Sequence, residues 1–274
     1  GSNQTRLTNN EDSDQEPSWS PDGARIAFMS GRDGNSEIYV MDADGSNQTN
    51  ISNHDTEDYH PAWSPDGTKI AFISGRDGNN QIYVIDTDGL NLKRLTQSSD
   101  SVYEPSWSPD GRKIAYGANV NVVGPGGGPE IFVMNLDDSS VIQITDQNSR
   151  NADAPAWSPD GRIAFSYRTG KVSERDNGNN GIRDESPSIM VVNADGSGQI
   201  NISNDPEFGH YDPTWSPDGT RIAFVVQHSG DHIYIANTDG SNMERLTSDL
   251  AALHPDWWGP TDAILAASQS SEVP

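Results

Sequence analysis

The stretch that decides the fold is Pro17-Ser18-Trp19-Ser20-Pro21-Asp22-Gly23, which recurs along nearly the whole chain as Pro-x-Trp-Ser-Pro-Asp-Gly. Each copy continues with an apolar triplet such as Ile26-Ala27-Phe28, and five copies add a second apolar run such as Ile38-Tyr39-Val40. An Asp-rich turn and a short fourth segment complete the unit. Each unit therefore predicts four short β-strands, rich in β-branched and aromatic residues and bounded by Gly, Pro and Asp. The repeated tryptophans are Trp19, Trp63, Trp107, Trp157, Trp215 and, in a degraded copy, Trp257.

Four strands per unit of roughly 40 to 45 residues are typical of a β-propeller. The sequence predicts an all-β, six-bladed β-propeller with four-stranded blades, forming a single domain over residues 1–274. The segment 3–8 matches the fourth segment of a unit but precedes the first Trp motif. We therefore expect the last blade to be closed by the N-terminal strand, although the third strand of that blade has no evident source.

The unit from Trp-Ser-Pro-Asp-Gly to Met41-Asp42-Ala43-Asp44-Gly45 resembles the WD40-like repeat called PD40, which is found in TolB and related bacterial propellers. The resemblance spans about residues 3 to 268, without the N-terminal domain of TolB or an appended peptidase domain. It implies a periplasmic or extracellular protein. It also implies a channel face that receives disordered segments of partner proteins.

Composition excludes several classes of function. The formal net charge of −24 repels phosphate groups, so binding to nucleic acid or to anionic lipid is not expected. No apolar run approaches the roughly 20 residues that span a bilayer, and membrane insertion is not expected either. The absence of cysteine removes disulfides, thiolate catalysis and Cys-ligated metal sites. We expect a monomer.

One residue of each repeat, immediately before its first Pro, should lie near the mouth of the central channel. Carboxylates there favour Ca²⁺ and imidazoles favour a transition metal, so a divalent cation is the expected cofactor. The alternative is a polar, water-filled mouth without a specific ligand. The predicted metal ligands are Glu16, His60, Glu104, Asp212 and His254, with Ala154 at the remaining position. The predicted ligand-binding neighbours are Tyr59, Tyr103, His210 and Tyr211.

The long insertion in the fourth repeat suggests a second cation site. Asp176, Asn180 and Asp184 align with positions 1, 5 and 9 of a calcium-binding loop, but Gly178 and Pro187 supply no side-chain ligand at positions 3 and 12. A degenerate calcium loop and a polar, mobile loop both fit this pattern. The third repeat carries another expanded loop, whose glycine-rich segment 124–128 lacks the Lys and Ser/Thr of a phosphate-binding loop.

The two ends of the blades are expected to differ. The Ser-Pro-Asp-Gly and Asp-x-Asp-Gly turns hardly vary in length, and their Asp residues are interpreted as serving turn geometry. The expanded loops and the mouth residues belong to the opposite face, where binding is expected. Arg32, Arg76 and Arg168 follow the second strand and either bind acidic groups or neutralise nearby Asp.

The resulting prediction is a non-enzymatic binding or assembly propeller that recognises a protein or extended peptide at the channel face. The alternative is a metal-dependent, lyase-like enzyme acting on an acidic or sugar polymer at the channel mouth. Oligogalacturonate lyases share the architecture, but this resemblance concerns only the fold. The sequence contains neither a Gly-x-Ser-x-Gly elbow nor a His-Glu-x-x-His zinc helix.

Overall fold

The computed structural model describes residues 5–120, 128–145, 149–169, 186–203, 208–227, 230–247, 252–258 and 263–268. Antiparallel sheets follow one another along the chain, and in each one the sequence order of the strands is also their spatial order. The strands of the first three sheets are β1 (Asp14–Trp19), β2 (Arg25–Ser30), β3 (Glu37–Asp42), β4 (Thr49–Asn50), β5 (Asp58–Trp63), β6 (Lys69–Ser74), β7 (Gln81–Asp86), β8 (Lys93–Arg94), β9 (Val102–Trp107), β10 (Lys113–Asn119), β11 (Pro129–Asn135) and β12 (Val141–Gln143).

The later sheets repeat this plan with slightly longer strands. Among the residues described, no helix is long and apolar enough to cross a bilayer. The strands are β13 (Ser149–Trp157), β14 (Arg162–Thr169), β15 (Ser188–Asn193), β16 (Ile200–Asn201), β17 (Gly209–Trp215), β18 (Arg221–Gln227), β19 (Asp231–Asn237), β20 (Glu244–Arg245), β21 (Ala252–Trp258) and β22 (Ala263–Ser268).

The prediction of six four-stranded blades is wrong. The described residues form five four-stranded blades, and those of the last repeat form the two-stranded sheet β21–β22. The expected N-terminal closing strand is wrong as well, because the described residues before β1 pair with no strand. The physical reason lies in the last repeat, which keeps the triplet Ile264-Leu265-Ala266 but has no second apolar run to form a third strand.

The segment around Leu7 nevertheless packs where a preceding blade would. Leu7 contacts the core of the first blade together with Trp19. A Cβ added to Gly45 would lie 2.6 Å from the Leu7 carbonyl oxygen. In the same way, a Cβ added to Gly89 would lie close to the carbonyl oxygen of Ile51. The inner strand β1 packs directly against β21 and β22, so the two-stranded sheet lies between the fifth blade and the first.

The hydrophobic core lies between successive blades. Ile38 and Val40 of the first blade form one cluster with Ile70 and Phe72 of the second, and similar clusters follow around the ring. In the second, third and fifth repeats the Trp side chain bonds to the preceding blade, as where Trp63 Nε1 donates to the Ser18 carbonyl at 3.0 Å. Because each blade buries its faces against two neighbours, a chain with 32% hydrophobic residues still has a continuous core.

The two faces of the ring follow from the loop contacts. Asn35, in the β2–β3 loop, donates through Nδ2 to the carbonyls of His54 and Thr56, which lead into the next inner strand. These loops form the face that we call the mouth face. On the opposite turn face, the Arg25 side chain donates to the Gly67 carbonyl of the next Ser-Pro-Asp-Gly turn at 3.5 Å.

Candidate functional site

The residue before the first Pro of each repeat occupies a β-bulge in the inner strand. The pairing of β1 with β2 shifts register between Gln15 and Ser18, and the other five inner strands shift at the equivalent place. All six bulge residues have a positive φ of 49 to 53°, which non-glycine residues adopt at a cost. A strained conformation repeated at every inner strand indicates a constraint at this level of the channel. These mouth residues are Glu16, His60, Glu104, Ala154, Asp212 and His254.

All six mouth residues line one central cavity of about 490 Å³. The cavity continues past the inner-strand residues Ser18 and Asp256 to the prolines of the turn face, such as Pro65 and Pro217. The structure therefore brings together all five predicted metal ligands at the channel mouth. It places them on inner strands, which hold side chains more rigidly than loops do.

Glu16 and His60 form the tightest contact in the mouth. His60 Nε2 lies 2.9 Å from Glu16 Oε1, and the His60 backbone N–H donates to Glu16 Oε2 at 2.6 Å. Burial alone would lower the pKa of His60, but the hydrogen bond and charge of Glu16, together with the charges of Glu104 and Asp212, outweigh it and raise that pKa to about 9. Burial would raise the pKa of Glu16, and the same partner holds it below its ordinary value. At neutral pH this contact is an ion pair.

Asp212 and His254 repeat this arrangement across the ring. His254 Nδ1 lies 3.2 Å from Asp212 Oδ2, and the His254 backbone N–H also donates to the Asp212 carboxylate. Burial raises the pKa of Asp212, while the charges of His254 and His60 oppose that rise.

Glu104 occupies the third carboxylate position, and its nearest imidazole is more distant: His60 Nε2 lies 3.8 Å from Glu104 Oε1. Glu104 accepts the backbone N–H of Ala154, whose side chain carries no charge. Burial raises the pKa of Glu104 to about 7 against the opposing charge of His60, with the charges of Asp153 and Asp212 adding to the rise. Burial and the Asp212 charge likewise raise the pKa of Asp153 to about 6.

The geometry does not assemble a metal centre from the described residues. Within them, no group of three or more His, Asp or Glu side chains stands close enough to hold an ion. Each His is instead engaged by its own carboxylate, and the metal role of the mouth residues stays a prediction.

The predicted ligand-binding residues flank the mouth in different ways. Tyr59 packs edge-on against His60, with ring centroids 5.2 Å apart. Tyr103 accepts a hydrogen bond from Asn119 Nδ2 at 2.8 Å, and Tyr211 lies under the Arg168 guanidinium. His210 is only 1% exposed and packs against Phe224. The three tyrosines are half-buried next to mouth residues in the sequence, and Tyr59 packs against the core between the second and third blades, whereas His210 lies in the blade interior.

Two of the three arginines neutralise aspartates within their own blades. Arg32 lies 3.1 Å from Asp14, and Arg76 lies 2.7 Å from Asp58, which is fully buried. The predicted calcium loop cannot be placed, since Asp176, Asn180 and Asp184 lie outside the described residues. The glycine-rich segment 124–128 lies outside them as well, except for Gly128.

Sequence reasoning missed Asp256, which lines the channel, and Asp153, whose charge acts on Glu104. Asp153 directly precedes the mouth residue Ala154, and a search for one residue per repeat passes over it. Asp256 is half-buried and accepts the Trp19 backbone N–H at 2.5 Å, which links the two-stranded sheet to the first blade. Burial raises the pKa of Asp256 to about 6. The sequence does distinguish Asp256, because the other repeats have Ser, Ala or Thr at the position directly before the Trp.

Comparison with known proteins supports the repeat assignment. Residues 1–123 match the family profile described as "PD40: TolB beta propeller domain". A curated relative, "Uncharacterized peptidase YuxL" from Bacillus subtilis, is 37% identical over 51 residues, which are 18% of this chain. The match spans only 8% of that relative's length.

Solved structures share the fold at low identity. A TolB-like protein from Agrobacterium tumefaciens superposes with a TM-score of 0.75 at 23% identity, covering 96% of this chain and 92% of that one. TolB from Acinetobacter baumannii gives 0.69 at 22% identity, covering 89% and 56%. An oligogalacturonate lyase in complex with manganese gives 0.63 at 18% identity, covering 92% and 71%. At these identities the likeness concerns the fold alone.

Proposed function

We propose that this chain, a TolB-like β-propeller built of PD40 repeats, is a non-enzymatic binding module that receives an extended peptide segment of a partner protein at its mouth face. Its likeness to TolB supports the proposal that it acts in the periplasm or outside the cell. The observation that carries the proposal is the acidic mouth, in which six strained inner-strand residues surround one end of a cavity of about 490 Å³.

The charge of the mouth favours a cationic ligand. Glu16, Glu104 and Asp212 are spaced at every second repeat, and Asp153 stands beside them. Because protonated His60 pairs with Glu16, the attraction for a cation comes from the remaining carboxylates, whose charge acts strongly in a narrow channel with low-dielectric walls. An overall charge of −24 adds a long-range field of the same sign. A basic segment therefore gains favourable electrostatic energy on approach and at the site.

The enzyme alternative receives less support from the site. A catalytic metal needs several ligands on one ion and an open coordination position. In the described part of the chain, His60 and His254 face different carboxylates, 2.9 and 3.2 Å away. This pairing suits a binding surface that is already organised before its ligand arrives.

The test is a selection from a phage-displayed library of random peptides, followed by calorimetry with the selected peptides. The mouth variant combines Glu16→Gln, Glu104→Gln and Asp212→Asn. Its matched control combines Asp44→Asn, Asp195→Asn and Asp239→Asn, which removes the same charge from exposed turns of the turn face. Melting curves establish that both variants remain folded.

We expect the selected peptides to be enriched in Lys or Arg and to bind the parent and the control alike. The mouth variant should lose about tenfold or more in affinity, since hydrogen bonds to charged groups contribute about 1.5–3 kcal/mol each. Peptides that bind the mouth variant normally and fail on the control would overturn the proposal. A library that yields no binder would also contradict it.

A further inference from the structure

The two-stranded sheet β21–β22 has a backbone edge that the four-stranded blades do not have. In each of those blades the second strand is paired on both sides, as β2 is with β1 and with β3. The strand at the same position of the last repeat, β22, pairs with β21, and no other described strand pairs with it. An edge of this kind presents a row of N–H and C=O groups that can pair with a further strand.

Residues 5–8 lie where a fourth segment lies in the other blades. They share a local hydrogen bond with two fourth segments, from an Arg Nε to the carbonyl two residues later: Arg6 to Thr8, Arg94 to Thr96 and Arg245 to Thr247. Leu7 also corresponds to Ile51, because the carbonyl oxygen of each lies beside a turn glycine of the next blade. The place of a third strand therefore lies between β22 and residues 5–8. We call this place the strand slot.

In every four-stranded blade, the third strand and the fourth segment exchange the same pair of hydrogen bonds. The Ile38 backbone N–H donates to Ser52 Oγ at 2.9 Å, and the Ile51 N–H donates to the Ile38 carbonyl at 2.9 Å. Equivalent pairs occur in the other four blades. The Leu7 N–H corresponds to that of Ile51, and it has no backbone partner in the described part of the chain. The strand slot thus has hydrogen-bonding groups on both sides.

The apolar clusters on both sides of the strand slot lack a third-strand contribution. Between the first and second blades, Ile38 and Val40 of β3 pack into the second blade. In the cluster that the first blade forms toward the slot, Leu7 is the one described residue from outside that blade. The described residues that the last repeat adds to the fifth blade are Trp257 and Ile264, from its first and second strands.

We propose that the strand slot accepts an extended segment of a partner protein, which pairs with β22 on one side and with residues 5–8 on the other. Main-chain hydrogen bonds supply the affinity in this mode of binding, and the side chains at alternate positions supply the specificity. The inference goes beyond the proposed function, because neither β22 nor residues 5–8 line the central cavity. The slot is a second docking place, separate from the mouth.

The third strands of the blades show which sequence fits the slot. Each contains an apolar triplet: Ile38-Tyr39-Val40, Ile82-Tyr83-Val84, Ile131-Phe132-Val133, Ile189-Met190-Val191 or Ile233-Tyr234-Ile235. In the first blade the triplet follows the buried Glu37, which accepts a hydrogen bond from Ser52 Oγ at 2.5 Å. Buried Gln81 and Glu130 stand at the same place in the next two blades. The expected segment therefore has Glu or Gln, then Ile, an aromatic residue and Val.

A separate polypeptide is the occupant that this pattern favours. Residues 269–274 are as many as the six residues that join β2 to β3, and Val273 is their one β-branched or aromatic residue. A second copy would have to release a paired third strand from one of its own blades. The net charge of −24 further favours a partner segment whose apolar run is flanked by basic residues.

The test titrates a blocked peptide with the sequence of β7 (Gln81–Asp86), flanked by lysines, into the ¹⁵N-labelled full chain, with NMR and amide hydrogen exchange as readouts. One companion peptide is N-methylated at its Tyr. Since Ile38 bonds to the fourth segment and successive residues alternate in direction, the N–H of Tyr39 faces β2. Methylation at this position therefore removes a bond to β22. The matched control peptide carries its N-methyl group on a flanking lysine.

The informative protein variant is Ala266→Pro. Ala266 corresponds to Phe28, which pairs with Tyr39, so its N–H is expected to face the strand slot. Proline is tolerated on an edge strand at such a position. The matched control is Ala266→Val, which keeps the N–H. If Ala266→Pro fails to fold, the comparison of the N-methylated peptides on the parent chain still decides the question.

We expect the β7 peptide to bind at least about tenfold more tightly than the Tyr-methylated peptide and to slow amide exchange at residues 264–268 and at Leu7. Ala266→Pro should weaken binding by about tenfold or more, while Ala266→Val and the mouth variant should bind as the parent does. Equal binding of the two peptides, or shift changes confined to the mouth, would overturn the inference.

Two further outcomes would assign the strand slot to another occupant and also overturn the inference. Binding that appears only after deletion of residues 269–274 would assign the slot to that segment. Dimerisation that the β7 peptide reverses, measured by sedimentation, would assign it to a second copy. If peptides selected on the mouth still require its carboxylates while the β7 peptide does not bind, only the strand slot is wrong, and the proposed function stands.

Discussion

The sequence varies much less at one end of the inner strands than at the other. At the turn face, Ser-Pro-Asp-Gly recurs almost unchanged because its side chains build the turn: Ser64 Oγ donates to Asp66 at 2.6 Å, and Asp66 accepts the Thr68 backbone N–H at 3.0 Å. The same hydrogen bonds recur in other repeats. At the mouth, six backbones share one conformation, yet the side chains are Glu, His, Ala or Asp.

This difference shows where a repeat protein can vary. Where side chains make the backbone turn, changing them removes the turn, and the sequence stays constant. At the mouth, the bulge and the following Pro fix the backbone conformation. The side chain is not needed for that conformation, so it can differ between repeats and carry a charge. The mouth residues share one strained backbone conformation but differ in their side chains. This combination is what a ring of binding residues on a rigid scaffold requires.

The largest loss of stability is expected from adding a side-chain atom to a closely packed glycine of the turn face. A Cβ on Gly240, where φ is 81°, would lie 2.5 Å from the Ile202 carbonyl oxygen of the preceding blade. Gly240→Ala should cost about 3 kcal/mol and lower Tm by roughly 10 °C, because two backbones must separate.

Gly34, in the β2–β3 loop of the mouth face, is the matched control. Its φ is 101°, and a Cβ there would meet nothing within 4 Å. Gly34→Ala should cost only the conformational penalty of about 1–2 kcal/mol. Equal losses in the two variants, measured by calorimetric melting, would refute the view that the turn face is the more tightly constrained.

Acid should weaken the turn face through its aspartates. Hydrogen bonds from Ser216 and the Thr220 backbone hold the pKa of Asp218 at about 2, below its ordinary value of 3.8. A lowered folded-state pKa stabilises the protein above pH 4, and that stability is lost as pH falls from about 4 to about 2. Combining Asp66→Asn, Asp110→Asn and Asp218→Asn should flatten this loss, as measured by urea unfolding at several pH values. A variant with the same acid sensitivity as the parent would contradict the turn role.

At the mouth, the dependence of stability on pH should have the opposite sign. Burial raises the pKa of Glu104 to about 7 from 4.5, so the folded protein holds this proton more tightly than the unfolded chain does. Ionisation of Glu104 therefore lowers stability as pH rises from about 4.5 through about 7. Glu104→Gln should match the parent at pH 4 and exceed it by about 1–2 kcal/mol at pH 8. A loss of stability at pH 8 would mean that Glu104 serves the fold.

The smallest effect concerns the predicted calcium loop. If Asp176, Asn180 and Asp184 bind Ca²⁺ weakly, CaCl₂ at about 1 mM should raise Tm by about 1–4 °C more than NaCl of equal ionic strength. Combining Asp176→Asn with Asp184→Asn should remove that excess. Equal shifts from both salts would leave only screening of the net charge.

Much of this architecture was predictable because the repeat is strong. The Trp motif and its two apolar runs placed the strands of five blades, and the Pro rule located all six mouth residues. The blade count was wrong because a count of Trp motifs does not show whether a unit has enough strands, and the last repeat lacks its second apolar run. The partners of the mouth residues could not be read from spacing. The close contact of His60 with Glu16 at 2.9 Å, and its longer approach to Glu104 at 3.8 Å, depend on distances between strands that are 44 residues apart.

The account rests on the mouth face being the binding face, and NMR of the labelled protein with a selected peptide tests this most directly. We predict the largest amide shift changes at the mouth residues His60, Ala154 and His254, whose backbone N–H groups bond to the mouth carboxylates. The turn amides of Gly67 and Gly219 should shift little. Large changes at those turn amides with an unperturbed mouth would contradict the account.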